Sequence, residues 1–142
     1  MIRILLAVDQ SDCALRAVEH VIDLAHSGQA LSVHVLNVQQ PMRSKLSLNR
    51  IVSQSTLDRH FLDLGEQALA PAIELLRAAR VQATGSVAFG QPAPAIVEHA
   101  RQGAYDLLVL GCQGQGAWQH FMLGSTAYQV AHLTPCPITL VK

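Results

Sequence analysis

Ile2 to Val8 is a nearly unbroken apolar run, closed by the polar set Asp9-Gln10-Ser11-Asp12. A short run without alternation predicts a strand buried on both faces. Beyond Asp12 the apolar period lengthens. Ala14, Ala17, Val18, Val21, Ile22 and Ala25 form one helical stripe. Ser11 or Asp12 is placed to cap that helix by accepting its free N–H groups, and Gly28 to end it. Leu31 to Val38 reads as a second strand, β-branched and apolar, with polar interruptions at His34 and Asn37.

The pattern then fails from Gln39 to Gln54, which holds Pro41, three serines and the cations Arg43, Lys45 and Arg50. A long surface loop is expected there. Ser55 to Arg80 returns to helical spacing through Leu57, Phe61, Leu64, Ala68, Ala72, Leu75, Leu76 and Ala79. Pro71 lies inside it and predicts a kink or break, because proline cannot donate to the carbonyl four residues earlier. Val81 to Phe89 alternates, as a strand with one better-buried face does. Gly90 turns the chain, and Pro92 or Pro94 suits the first turn of a helix. That helix has Ile96, Val97 and Ala100 on its inner side and ends at Gly103. Asp106 to Leu110 is a fourth strand. After a glycine-rich loop, a helix running through Leu133 is stopped by Pro135, and Pro137 to Val141 closes the chain as a fifth strand. The proline of that strand points to a sheet edge, where a second subunit can pair.

Strands alternating with helices at this spacing predict a parallel sheet covered on both faces, a three-layer α/β sandwich of five strands. There is no internal repeat and no linker, so residues 1–142 are expected to form one domain. Ten basic and ten acidic residues cancel, and no basic stretch offers a nucleic-acid footprint. The apolar runs are far shorter than the ~20 residues that span a bilayer, so no membrane partner is expected. Met1-Ile2-Arg3 leads directly into the first strand without a signal-peptide pattern, and three irregularly spaced cysteines suit a reducing compartment. These features predict a cytoplasmic location.

The chemistry concentrates after strand four, in Gly111-Cys112-Gln113-Gly114-Gln115-Gly116. An uncharged glycine loop between a buried strand and a helix start can converge backbone N–H groups on an anion. The helix adds its own unpaired donors and the positive end of its dipole. Gly111 and Gly116 are followed by Ala117-Trp118, so the lysine of a Walker loop is missing. Asp9-Gln10-Ser11 occupies the place where a dinucleotide fingerprint needs glycines. The pattern present is Gly111-x2-Gly114-x9-Gly124-Ser125.

With Val8-Asp9-x-Ser11 after strand one, that spacing resembles the ATP-binding subset of the universal stress protein family. The resemblance extends to Asn37-Val38, Phe89-Gly90, the run from Asp106 to Gly111, and Pro135-Cys136-Pro137-Ile138. It implies an adenine nucleotide α-hydrolase-like, Rossmann-like sheet of strand order 3-2-1-4-5. The ligand would lie at the carboxyl ends of strands one and four, at the switch point. Position by position, it implies an adenine pocket lined by Asp9 and Val38 with Ala7 and Leu110 beside them. Gly111 and Gly114 would let the loop approach the ribose and phosphates, while Gly124, Ser125 and Thr126 would face the phosphates. Ser11 and Gln115 complete the candidate set. The implied ligand is ATP, with Mg²⁺ as a possible companion, in a nucleotide-responsive homodimer joined through its last strand.

The chain departs from the family pattern at Gln10, often glycine, and at Gln115, often a cation. Backbone N–H groups, Mg²⁺, or Arg43 and Lys45 would then have to balance the phosphates. Two rival readings stay open. One is an interaction module with the same fold and a degenerate pocket; the other is a slow Mg²⁺-dependent ATPase. No nucleophile stands beside a base with a local signature, and Ser125 near His120 does not make a triad. Asp9 can be a helix cap, a ligand contact, or both. Cys112 is either a redox-sensitive thiol or a small space-filling residue. Trp118 and Phe121 read as core or subunit contacts.

Overall fold

The computed structural model describes residues 1–41, 54–113 and 122–142. They form β1 (Ile2–Ala7), α1 (Asp12–His26), β2 (Leu31–Gln39), α2 (Gln54–Ala78), β3 (Gln82–Phe89), α3 (Pro92–Gly103), β4 (Leu107–Gly111), α4 (Ser125–Leu133) and β5 (Ile138–Val141). The five strands pair in parallel in the order β3-β2-β1-β4-β5. This is the expected α/β fold with the expected strand order. The 39–54 loop expectation falls mostly outside the described residues, as do Gly114, Gln115, Trp118 and Phe121.

β1 is central, paired with β2 from Ile2–Leu31 to Ala7–Leu36 and with β4 from Ile4–Leu107 to Ala7–Leu110. That position explains its unbroken apolar run, because Ile4, Leu5 and Leu6 each lose all their accessible surface. Ile4, Leu6, Val33, Val35 and Val109 pack against α1 and α2, through residues such as Val18, Val21, Ala72 and Leu76. Leu5, Leu36, Leu108 and Leu110 pack on the other face against Ile96, Val97 and Ala100 of α3 and Val130 of α4. Each such side chain contributes about 1.5–3 kcal/mol of burial. β5 pairs with β4 at the sheet edge, and each of its residues is partly exposed.

The chain differs from the sequence reading in α2, while α3 ends at Gly103 as expected. α2 passes through Pro71 without a break. Pro71 and Gln67 are both exposed, so water can satisfy the carbonyl that proline leaves without a donor. The buried stripe of α2 runs through Gly65, Ala68, Leu69, Ala72 and Leu76, whereas Leu57 and Leu75 are exposed. At the end of α3 the left-handed residue is Ala104, with φ 48°, and Gly103 is the last helical residue. Gly103 is needed for space: a Cβ there would run into the Tyr105 ring.

The room left by Gly103 admits Tyr105 to a stack of rings. The Arg3 guanidinium lies 5.4 Å from the Tyr105 centroid. Tyr105 faces His99 at 6.2 Å, and His99 stacks on His34 at 5.0 Å with 17° between the planes. His34 also bonds Thr84 Oγ1 at 2.9 Å and Ser86 Oγ at 2.8 Å. Burial pushes both imidazoles below their ordinary value, and His99 adds repulsion at His34. A histidine with a lowered folded pKa binds its proton more readily in the unfolded chain. Stability is therefore fully present above the unfolded value of about 6.5 and is lost as pH falls through it. Urea unfolding between pH 7.5 and 5 should reveal that loss, and the His34→Gln/His99→Gln variant should lose less. Equal pH dependence in the two proteins would contradict the assignment.

Candidate functional site

β1 ends between two connections that leave in opposite directions, one through α1 on one face and one through α4 on the other. A crevice opens at such a point beyond the strand ends. In this chain it is a cavity of about 340 Å³. Ala7, Asp9, Ser11, Val38, Leu110, Gly111, Gly124, Ser125 and Thr126 all line it. These are nine of the eleven residues singled out from the sequence; Gly114 and Gln115 lie outside the described residues. Ala14, Leu36, Pro92, Ile96, Gln113 and Ala127 line it as well. Their helical or strand periodicity marked several of them only as core, since periodicity does not separate a core wall from a cavity wall. Pro92, one of the two prolines suited to the first turn, opens α3.

Each lining group is held by local chemistry. The Asp9 carboxylate accepts the Ser11 N–H at 2.9 Å, a tight turn that sets the chain leaving β1. Ser11 has extended backbone and is the N-cap of α1, accepting the Ala14 N–H at 3.1 Å. Its hydroxyl also donates to the Gln113 carbonyl at 3.4 Å, joining the start of α1 to the chain after β4. Gln113 Nε2 donates to the Met122 carbonyl at 3.0 Å, and the Gly124 N–H donates to the Cys112 carbonyl at 2.7 Å. These two bonds bring the chain back beside the end of β4 as α4 begins.

α4 opens on Gly124, which has extended backbone and no side chain to cap the helix. The N–H groups of the first turn have no intrahelical acceptor. Gly124, Ser125 and Thr126 of this helix start line the cavity. Apolar Ala7, Val38, Ile96 and Leu110 form a wall of the same cavity, and Asp9 adds a carboxylate. Such a site suits a ligand with a flat apolar part carrying hydrogen-bond donors and an anionic part.

Gly111 is the last residue of β4, where the first turn of α1 comes closest. A Cβ on it would lie 2.7 Å from Cys13 Cβ and 2.8 Å from the Cys13 carbonyl carbon. Its glycine thus has a packing requirement besides any approach of the loop to a ligand. Cys112 sits beside this contact. Burial pushes its thiol up, Cys13 adds to the effect and Lys142 opposes it. A reactive thiolate needs the opposite shift.

Comparison with known proteins decides the lineage. The universal stress protein family model matches residues 1–142. The chain belongs to the universal stress protein family. Universal stress protein YxiE of Bacillus subtilis is 30% identical over 149 residues, covering 99% of this chain and 98% of the relative. A universal stress protein of Thermus aquaticus, from the QAH/OAS sulfhydrylase 3′ region, is 35% identical and covers 98% of this chain and 97% of its own.

Among solved structures, hypothetical protein MJ0577 has a TM-score of 0.83 at 21% identity, covering 99% of this chain and 94% of its own. The universal stress protein of Archaeoglobus fulgidus in complex with dAMP has a TM-score of 0.70 at 18% identity, with coverage of 100% and 98%. An Arabidopsis thaliana family member with AMP bound has 0.72 at 15%, with coverage of 100% and 92%. At these identities the structural likeness establishes the fold alone.

Proposed function

We propose that this universal stress protein binds an adenine nucleotide, ATP foremost, in the cavity at the carboxyl ends of β1 and β4. The observation that carries the reading is convergence on one cavity. An acceptor at Asp9, an apolar wall at Val38 and Leu110, and the uncapped start of α4 at Gly124 all line it. Its volume falls at the lower end of the range for small-molecule pockets. Support also comes from family members that carry AMP and dAMP.

In this reading the adenosine lies against Ala7, Val38 and Leu110, and Asp9 accepts from the base or ribose. The phosphates take the N–H groups and hydroxyls of Ser125 and Thr126. Gly111 and Gly114 give the loop its close approach, and Ser11 fixes the turn beneath it. Gln115 brings no charge, so Mg²⁺ bound to the phosphates and water balances the anion. The partly exposed β5 edge joins two copies, and the protein acts as a nucleotide-responsive homodimer in the cytoplasm. Light scattering tests the dimer, and a monomer at micromolar concentration contradicts it.

Isothermal titration with ATP and Mg²⁺ tests the nucleotide reading. Saturable binding by the native protein and its loss in Gly114→Val are expected, because valine blocks the backbone approach. No binding at millimolar ATP, or unchanged binding by the variant, would contradict it.

A further inference from the structure

Asn37 is the one buried polar side chain among the described residues, with 3% of its surface exposed. It belongs to the apolar face of β2 that includes Val33 and Val35, where a carboxamide is costly unless it is bonded. Both of its ends are bonded. Nδ2 donates to the Val8 carbonyl at 2.9 Å, and Oδ1 accepts from Gln39 Nε2 at 2.8 Å.

The Val8 carbonyl is not an arbitrary partner. In β2 the even-numbered residues direct their backbone groups towards β1, as the bond from the Val8 N–H to the Leu36 carbonyl shows. The odd-numbered ones face β3, as does the Gln39 carbonyl that accepts from Gly90. In a continued parallel ladder the next bond would run from the Val38 N–H to the Val8 carbonyl. The β1–β2 register stops one step earlier, at Ala7–Leu36. The Asn37 side chain takes the Val8 carbonyl instead.

We propose that Asn37 is a positioning residue that parts β1 from β2 at their carboxyl ends and reserves the Val38 N–H for the base. The observation behind it is the side-chain bond that replaces the ladder bond, at the edge of the cavity Val8, Asp9 and Val38 share. The proposal rests on the adenine-nucleotide reading and deepens it. With the Val8 carbonyl satisfied, the two strands do not close over the gap. The Val38 N–H then meets a ring nitrogen acceptor of adenine. Hypoxanthine carries a proton at one ring position where adenine has a bare acceptor, so it pairs poorly with that donor.

The test compares ATP and ITP affinities for the native protein and Asn37→Leu, which keeps the branched heavy-atom skeleton and removes the amide. Native protein should prefer ATP. In Asn37→Leu the Val38 N–H can turn to the Val8 carbonyl, so ATP affinity should fall about tenfold while ITP affinity holds. An equal loss for both nucleotides, or none, would overturn the proposal while native ATP binding keeps the nucleotide reading. Failure of the native protein to bind ATP would remove both.

Amide hydrogen exchange on the native protein decides the matter even if Asn37→Leu does not fold. Without nucleotide, the Val38 amide should exchange faster than those of Leu36 and Gln39, and ATP should protect it. Equal protection of all three without nucleotide would overturn the proposal.

Discussion

Gly111→Ala is expected to destabilise the protein by about 2–3 kcal/mol, the upper part of the range for overpacking. The added methyl would meet both Cys13 Cβ and the Cys13 carbonyl carbon at less than 3 Å. Neither can move by a simple side-chain rotation, because both sit in the first turn of α1, which the Ser11 cap holds. Relief requires α1 to move away from β4, and the Ser11–Gln113 bond would go with it. Urea unfolding should show a lower midpoint with an unchanged slope. A midpoint equal to the native value would mean that α1 and β4 do not approach so closely.

Asp9→Ala should reduce ATP affinity by at least about tenfold, roughly 1.4 kcal/mol, by removing a charged acceptor from the cavity. It should also cost about 1 kcal/mol of stability, since the Ser11 N–H loses its partner. Asp9→Asn separates the two effects. Its side-chain oxygen can still accept from Ser11, so stability should hold, while the loss of charge weakens a ligand donor's bond. Titration calorimetry and thermal unfolding on the two variants measure these outcomes. Native-like ATP affinity in Asp9→Ala would remove Asp9 from the site and leave it as a turn residue.

Much of this architecture is legible in the chain because local patterns carry it. The apolar run of Ile4-Leu5-Leu6 states that the first strand is covered on both faces, and it proves to be the central strand. Ser11 announces the start of α1, and Pro137 precedes an edge strand. Strand order is less legible, since periodicity does not say which strands are neighbours; the family resemblance supplied it.

What stayed hidden depends on groups distant in sequence. Gly111 reads as loop freedom, yet its contact with Cys13 exists only once α1 lies over β4. Asn37 and His34 both read as interruptions of one strand. The first bonds the Val8 carbonyl and the second enters a ring stack with α3. At Pro71 the helix runs on without a break, and the carbonyl that proline leaves without a donor belongs to an exposed residue, Gln67. In the candidate site, polar and glycine positions stood out by chemical type. Ile96 and Ala127 did not, because an apolar residue facing a cavity looks the same in sequence as one facing the core.

The most direct test of the nucleotide assignment is a two-dimensional amide NMR titration of the native protein with ATP and Mg²⁺. Saturable shifts should concentrate in four segments: Ala7 to Ser11, Asn37 to Gln39, Leu110 to Gln113, and Gly124 to Ala127. Either no saturable shift at millimolar ATP, or shifts confined to residues away from this cavity, would contradict the account.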